Sequence, residues 1–347
     1  MKRRQFMAAA AAGGAALPVL ASAQALTPVA PRSATTPLLP SAVVSASGPA
    51  VIPGGLILAN LRGPDGPRLA VKTDRGLLDV TVAARALKIV VPKTTDEVVN
   101  AGEGRLRACL AAALKQPRQE WLIAENDALF APAMTNPRKI VCVGLNYRRH
   151  AREVGMAEPK VPILFNKFNN SLNYHRGLVP TQGLPGNHFD YECELVIVMG
   201  RRCVAVAEEH ALDYVFGYCT GNDFSERSYQ LITSQWMSGK TSDGFAPLGP
   251  FLVSADLVGN PNELKLETRV NGELRQSSNT SDFIFNCQQI IAFASRVFPL
   301  EPGDIIYTGT PEGVILGMPK ERQVWLKPGD TVVTTIEKLG ALEIKVA

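Results

Sequence analysis

Little net charge, few histidines and no closely paired cysteines characterise this sequence, and each shortage excludes a class of function. The formal net charge of the 347 residues is only +4, and three of the cations are Lys2, Arg3 and Arg4. A chain so close to neutral has no general electrostatic attraction for nucleic acid. Only four histidines occur, and none of the six cysteines belongs to a C-x-x-C pair, so no zinc site is indicated.

The N-terminus has the features of an export signal. A basic start precedes an Ala-rich apolar stretch over residues 7–20 and a small-residue site at residues 21–23. The Arg-Arg pair at residues 3–4 resembles a twin-arginine signal, with an ordinary Sec signal or a short anchor as the alternative. We therefore expect residues 1–23 to be a signal peptide of a bacterial, periplasmic protein. The mature chain would carry a net charge of +1, and it contains no apolar run that could span a membrane.

Composition divides the rest of the chain into three parts. Residues 24–53 are rich in Pro, Ala and Ser and predict a flexible or extended linker. Residues 54–132 predict a small N-terminal domain, because short apolar segments alternate with turn sequences such as P-D-G and D-R-G. Residues 138–347 predict the catalytic domain, where strands dominate. Few helices separate these strands, which argues against a doubly wound parallel sheet. The cysteines lie mostly in apolar runs, so we expect free buried thiols.

Three local patterns predict particular elements. The apolar run at residues 195–199 of "FDYECELVIVMG" predicts a strand that is buried on both faces. Asn271-Gly272 between two strand-like segments predicts a hairpin. Residues 282–297 have the apolar periodicity of a helix.

Three acidic residues suggest a site for a hard cation. Glu192 and Glu194 open the buried strand and point the same way, because side chains alternate along a strand. Asp223 follows in "GYCTGNDFSERSYQ". A carboxylate cluster suits Mg²⁺ before Ca²⁺ or Mn²⁺, and the cation would offset the cost of burying like charges. The alternative is a strand end with solvated acids, or a glutamate paired with Arg201 or Arg202.

A second pattern is a histidine and a glutamate on one helix. In "GLNYRRHAREVG", His150 and Glu153 lie at i and i+3 of a short helix over residues 147–154. A carboxylate that bonds one ring nitrogen fixes the tautomer and leaves the other nitrogen as a base. A surface ion pair is the alternative.

Two turn-rich segments complete the candidate residues. Lys240 in "SGKTSDGFAPLGPF" could direct a cation toward an oxyanion or a carboxylate, or could simply be solvated. Gly309 and Thr310 in "GDIIYTGTPEGV" offer backbone N–H groups and a hydroxyl that could hold a substrate carboxylate, although a plain exit from a strand would show the same pattern.

The order of these segments resembles that of the fumarylacetoacetate hydrolase family, particularly its short bacterial members that act on acylpyruvates. The matching stretches are "KIVCVGLNYRRHAREVG", "PILFNKFNNSL", "DYECELVIVMGR", "GYCTGNDFSERSYQ", "GKTSDGFAPLGPF", "VNGELRQSSNTSDFIF" and "LEPGDIIYTGTPEGV". Together they span most of the chain from residue 139 onward, which is far more specific than any one motif. The leading strands also look like the small N-terminal domain of this family.

The resemblance implies a β-rich α+β fold, with mixed sheets rolled around the active site, usually assembled as a homodimer. It implies a divalent metal on Glu192, Glu194 and Asp223, a lid that carries His150 and Glu153, and Lys240 as their electrostatic partner. Further matches imply substrate binding by Arg227, Gln230, Gly309 and Thr310. Glu226, Ser228 and Ser242 depart from the family pattern, and these departures leave the substrate open.

The sequence therefore predicts a metal-dependent hydrolase that cleaves a carbon–carbon bond in a small 2-oxo acid of the acylpyruvate type. His150 would activate water, and Lys240 would stabilise the resulting oxyanion. One alternative is a lyase, decarboxylase or isomerase that uses the same metal-stabilised enolate chemistry. Another is a catalytically silent exported binding protein, which would have no need for the His150–Glu153 pair.

Overall fold

The computed structural model describes residues 55–116 and 118–347. The predicted signal peptide and linker therefore lie outside the described residues. The part of the chain that the structure describes contains nineteen strands: β1 Ile57–Gly63, β2 Gly66–Thr73, β3 Gly76–Asp79, β4 Leu122–Ile123, β5 Ile140–Gly144, β6 Ile163–Lys167, β7 Leu172–Asn173, β8 Gly177–Val179, β9 Phe189–Asp190, β10 Cys193–Met199, β11 Val215–Asn222, β12 Ser225–Glu226, β13 Ala246–Pro247, β14 Leu252–Ser254, β15 Lys265–Val270, β16 Glu273–Asn279, β17 Ile305–Tyr307, β18 Thr331–Ile336 and β19 Gly340–Val346. Seven α-helices in the described ranges are α1 Val80–Leu87, α2 Thr95–Ala101, α3 Gly104–Lys115, α4 Arg148–Glu153, α5 Arg227–Gln230, α6 Ala255–Val258 and α7 Cys287–Val297.

Ten strands form the largest sheet, in the order β4-β3-β2-β1-β14-β11-β10-β17-β5-β6. All neighbours are antiparallel except β17 and β5, which run parallel. The leading strands enter this sheet because β1 pairs with β14. The segment that we expected to form a separate N-terminal domain therefore shares a sheet with the segment that follows it, and the domain boundary at residues 132–138 stays a prediction.

A second sheet has five strands in the order β16-β15-β18-β19-β8. Its β15–β16 hairpin turns at the predicted Asn271-Gly272 pair, where both residues adopt a positive φ, 51° and 86°. A two-residue turn of this kind matches the right-handed twist of the flanking strands. Parallel pairing of β19 with β8 makes this sheet mixed as well, so the predicted β-rich α+β class with mixed sheets is confirmed.

Strand β10 lies at the centre of the large sheet, and all seven of its residues are buried. Leu195 and Ile197 pack into one hydrophobic cluster, whereas Val196 and Val198 pack into another on the opposite face. An unbroken apolar run is required here because both faces of the strand are covered. Burial of each such side chain contributes roughly 1.5–3 kcal/mol, which makes β10 a rigid base for the acids at its N-terminal end.

Helix α7 is shorter than the sequence pattern predicts. It begins at Cys287, after the capping residue Asn286. The Asn286 side chain accepts the Gln289 N–H, and the Gln289 side chain accepts the Asn286 N–H, which completes a capping box. The expected start at residue 282 is wrong because residues 280–282 form a separate 3-10 turn. All six cysteines are free and buried. Within the described ranges, every helix is too short or too polar to cross a membrane.

Candidate metal and substrate site

The β10–β11 hairpin brings the three acidic residues together. The register pairs Cys193 with Asn222, so Asp223 follows directly opposite Glu192, and the Asp223 N–H donates to the Glu192 carbonyl at 2.9 Å. Glu194, two residues further along, faces the same side. One oxygen from each carboxylate lies within 4.8 Å of the others, and all three residues are buried. The strand pattern therefore predicted a real cluster.

Three buried cations surround two of these acids. Lys240 Nζ lies 2.5 Å from Glu192 Oε2 and 2.9 Å from Asp223 Oδ2. Arg227 Nη1 lies 2.7 Å from Glu192 Oε1. Lys167 Nζ contacts the other oxygen of Asp223. The alternative pairing of a glutamate with Arg202 does not occur, because Arg202 pairs with Glu301 at the surface.

The unequal distribution of cations separates the two glutamates electrostatically. Burial alone would raise the pKa of Glu192, but Lys240 and Arg227 outweigh it and hold that pKa at about 2. Glu194 accepts the Gly309 N–H at 2.8 Å, and no cation of the described chain lies within salt-bridge distance of it. Burial and the charges of Asp223 and Glu192 therefore raise its pKa well above its usual range.

A hard divalent cation fits this donor set. All three candidate ligands offer carboxylate oxygens, which Mg²⁺, Mn²⁺ and Ca²⁺ prefer. A cation beside Glu194 would also remove the cost of keeping a buried carboxylate without a counter-charge. Lys240 now bonds two of the three acids, so the ligands and the lysine form one connected cluster.

Lys167 is a site residue that sequence reasoning missed. It ends strand β6, is fully buried, and donates to Asp223 and to the Phe224 carbonyl. Burial lowers its pKa, against the attraction of Asp223. A lysine at the buried end of an apolar strand is uncommon, and this signal in "PILFNKF" could have identified it.

Asp190 is a second residue without a predicted role. Its carboxylate accepts the Arg227 Nε–H at 2.9 Å and the N–H groups of Ile315 and Leu316 at 2.9 and 3.0 Å. Arg227 also donates to Gln230 Oε1 at 2.9 Å. Asp190 thus orients the arginine, whose buried Nη2 has no hydrogen-bond partner among the described residues.

The predicted histidine–glutamate pair is present on helix α4. His150 Nδ1 lies 3.2 Å from Glu153 Oε2, and Glu153 Oε1 accepts the Gly313 N–H at 2.9 Å. His150 is only 6% exposed, so the pair is not a surface ion pair. Because Nδ1 faces the carboxylate, Nε2 is the ring nitrogen available for proton transfer.

A cavity of about 170 Å³ joins these groups. Its polar lining consists of His150, Glu192, Glu194, Arg227, Gln230, Lys240 and Thr310, and its apolar wall includes Val143, Val154, Met156, Phe165, Leu231, Trp236 and Leu316. Most of the predicted site residues thus meet at one cavity. Glu153, Asp223 and Gly309 do not line the cavity. Each contacts residues that do: Glu153 bonds His150, Asp223 bonds Lys240, and the Gly309 N–H bonds Glu194.

Comparison with known proteins identifies the family. The family model described as fumarylacetoacetate (FAA) hydrolase C-terminal matches residues 139–347. The chain belongs to the fumarylacetoacetate hydrolase family. It is 37% identical over 298 residues to the human protein named "Oxaloacetate tautomerase FAHD2A, mitochondrial", covering 83% of this chain and 91% of the human one.

Solved structures place the fold in the same family. The fumarylacetoacetate hydrolase of Exiguobacterium antarcticum has a TM-score of 0.71 and 30% identity, covering 84% of this chain and 99% of that one. The fumarylpyruvate hydrolase of Pseudomonas aeruginosa, in complex with Mn²⁺ and pyruvate, has a TM-score of 0.56 and 32% identity, covering 61% and 91%. The predicted fumarylacetoacetate hydrolase fold is therefore confirmed.

The predicted periplasmic location is wrong. Relatives from human, cattle and rat, at 37–39% identity, are named as mitochondrial proteins. The physical reason for the error is that a basic, Ala-rich and apolar start is shared by several classes of targeting segment. Such a pattern does not identify one compartment.

Proposed function

We propose that this protein is a divalent-metal-dependent enzyme that interconverts the keto and enol forms of a small 2-oxo acid. The observation that carries the proposal is that His150, whose ring Glu153 holds through Nδ1, lines the same cavity as Glu192 and Glu194 of the buried carboxylate cluster. Proteins named as oxaloacetate tautomerases, similar over about four fifths of this chain, support proton transfer as the reaction.

The size and lining of the cavity suit a small acid. The cavity has a volume of only about 170 Å³. Arg227, Gln230 and Thr310 would bind the substrate carboxylate, because all three line the cavity and the Arg227 Nη2 has no hydrogen-bond partner among the described residues. When bound by Glu192, Glu194 and Asp223, Mg²⁺ or Mn²⁺ would supply Lewis acidity toward the substrate's oxygens.

Proton transfer is assigned to His150. Its Nε2 would accept a proton from the carbon next to the oxo group, and the protonated ring would deliver that proton to the oxo oxygen to give the enol, with the reverse order from enol to keto. Glu153 would hold the ring through Nδ1 meanwhile. Lys240 would stabilise negative charge that develops on the oxo oxygen during the transfer. The cavity's apolar wall would exclude water, which strengthens these electrostatic interactions.

Hydrolysis of a carbon–carbon bond is the second candidate. Similarity to the fumarylpyruvate hydrolase solved with Mn²⁺ and pyruvate favours it. In that case His150 would deprotonate a water molecule that attacks the distal carbonyl of an acylpyruvate. The same residues serve both reactions, so product identity separates them. We keep the homodimer as a prediction.

One experiment decides between these reactions. The purified protein, loaded with Mg²⁺ or Mn²⁺, is mixed with enol oxaloacetate and separately with a panel of acylpyruvates. Ultraviolet absorbance follows the enol, and nuclear magnetic resonance identifies the products. We expect rapid enol-to-keto conversion with the carbon skeleton intact. Cleavage of acylpyruvates without catalysed tautomerisation would replace the first proposal by the second, and inactivity toward both would contradict the enzyme assignment.

A further inference from the structure

Arg149, next to the proposed base, links helix α4 to a loop that borders the cavity. Its Nη1 lies 3.0 Å from Glu312 Oε1, and its Nη2 donates to Ser278 Oγ at 2.9 Å. The Arg149 Nε is 3.6 Å from Asp282 Oδ2. The side chain therefore reaches across from the helix to two separate segments of the chain.

The partner of Arg149 belongs to the loop at residues 309–313, which we call the carboxylate loop. Thr310 of this loop lines the cavity, and Gly309 bonds the candidate metal ligand Glu194. Glu312 pairs with Arg149, and the Gly313 N–H bonds Glu153. One short loop thus contacts the ligand cluster, the substrate cavity and the helix that carries His150.

We propose that Arg149 is a positioning residue, whose ion pair with Glu312 holds helix α4 closed over the cavity with His150 directed inward. This inference rests on the proposed role of His150 as the base. The Arg149 and Glu312 side chains are 49% and 24% exposed. An exposed pair of this kind is weak and breaks readily, which suits a segment that must open to admit substrate and close for proton transfer.

Helix α4 also carries a matched control. Arg152 lies on the same helix, is exposed, and forms no ion pair within the described part of the chain. Its replacement removes one positive charge from the helix without touching the carboxylate loop. An effect that Arg149→Ala shows and Arg152→Ala does not is therefore caused by loss of the Arg149 contacts and not by the change in net charge.

The first test measures opening of the helix without any substrate. Diethyl pyrocarbonate modifies accessible histidines, and peptide mass spectrometry gives the rate at His150, with exposed His210 as an internal reference. We expect Arg149→Ala and Glu312→Gln each to raise the rate at His150 by about two- to five-fold, the range for loss of an exposed ion pair. Their double variant should add little further, Arg149→Lys should restore part of the protection, and Arg152→Ala should change nothing.

The second test measures positioning in the enzyme loaded with Mg²⁺ on enol oxaloacetate. Arg149→Ala should lower kcat by a similar factor and leave the Mg²⁺ affinity unchanged. The difference in kcat between the variant and the parent should be larger at low salt than at high salt, because salt screens the ion pair of the parent. Unchanged modification of His150 in both Arg149→Ala and Glu312→Gln would overturn the proposal, as would faster modification with an unaltered kcat. A wrong assignment of His150 as the base would give a different result: His150→Ala would keep full activity, whatever the modification rates are.

Discussion

The backbone N–H of Gly309 donates to Glu194 Oε2 at 2.8 Å, and this bond joins the carboxylate loop to the acid of the cluster that has no cationic partner in the described chain. Glu192 and Asp223 already have buried cations within 3 Å. Glu194 has only this one backbone donor, while burial and its two acidic neighbours raise its pKa. The three ligands are therefore electrostatically unequal before any metal binds.

This inequality predicts opposite effects for two similar substitutions. Glu194→Gln removes a carboxyl group that is costly to ionise, so the metal-free protein should keep its stability within about 1 kcal/mol or gain stability. Glu192→Gln removes the carboxylate that Lys240 and Arg227 share, but Lys240 keeps Asp223 and Arg227 keeps Asp190, so we expect a loss of about 1–3 kcal/mol, the range for buried donors that lose one acceptor. Urea unfolding in EDTA measures both changes, and calorimetry should show weakened Mg²⁺ binding in each. Equal stability of the two variants would contradict the charge distribution.

Removal of the metal should abolish activity and lower the thermal midpoint. Dialysis against EDTA, followed by Mg²⁺ or Mn²⁺, should restore both, whereas Zn²⁺ should do so poorly because the ligands are all oxygen donors. At a free metal concentration of 100 times Kd, binding should add about 2.7 kcal/mol to the stability. Differential scanning fluorimetry across a metal titration gives the shift. A thermal midpoint that does not change with Mg²⁺ or Mn²⁺ would contradict the proposed ligand set.

The base and the metal ligands should be separable by mutation. His150→Ala should lower kcat by about 10²–10⁴-fold while Mg²⁺ affinity stays close to that of the parent, because His150 does not belong to the carboxylate cluster. Glu153→Gln should cost less, since the ring keeps its nitrogen but loses its orienting carboxylate. Stopped-flow kinetics and calorimetry on the same preparations provide the comparison. Near-parental turnover of His150→Ala would remove this residue from the mechanism.

A histidine outside the site should make the fold sensitive to acid. Burial, together with Arg176, lowers the pKa of His175 from its ordinary value of 6.5, and its Nδ1 accepts the Glu343 N–H at 3.2 Å. Below about pH 6.5 the unfolded chain binds a proton that the folded chain resists, so this contribution is complete at higher pH and declines as the pH falls. Urea midpoints at pH 7 and pH 5 should differ less in His175→Gln than in the parent. The exposed His210 provides the control substitution, and an identical pH dependence in His175→Gln would count against the assignment.

Local patterns predicted the elements that local physics controls. The apolar run after Glu194 became the doubly buried strand β10, and the Asn271-Gly272 pair became the hairpin turn, because burial on both faces and positive φ leave direct marks in the sequence. The His150–Glu153 pair was also predictable from a local pattern, because its two members lie one helical turn apart. The helix at residues 282–297 was predicted too long because apolar periodicity does not show where a cap interrupts it.

By itself the sequence determined the doubly buried strand, the hairpin, the acidic ligand candidates, the proposed base and, through the order of its motifs, the family. Only the tertiary structure decided which charges meet. Lys167 and Asp223 are 56 residues apart, and Gly309 and Glu194 are 115 residues apart, and no periodicity in the sequence records such contacts. Glu192 and Glu194 are chemically identical and two residues apart, but the balance of burial against distant counter-charges lowers the pKa of Glu192 and raises that of Glu194. That balance exists only after β10, β11 and the carboxylate loop have packed together.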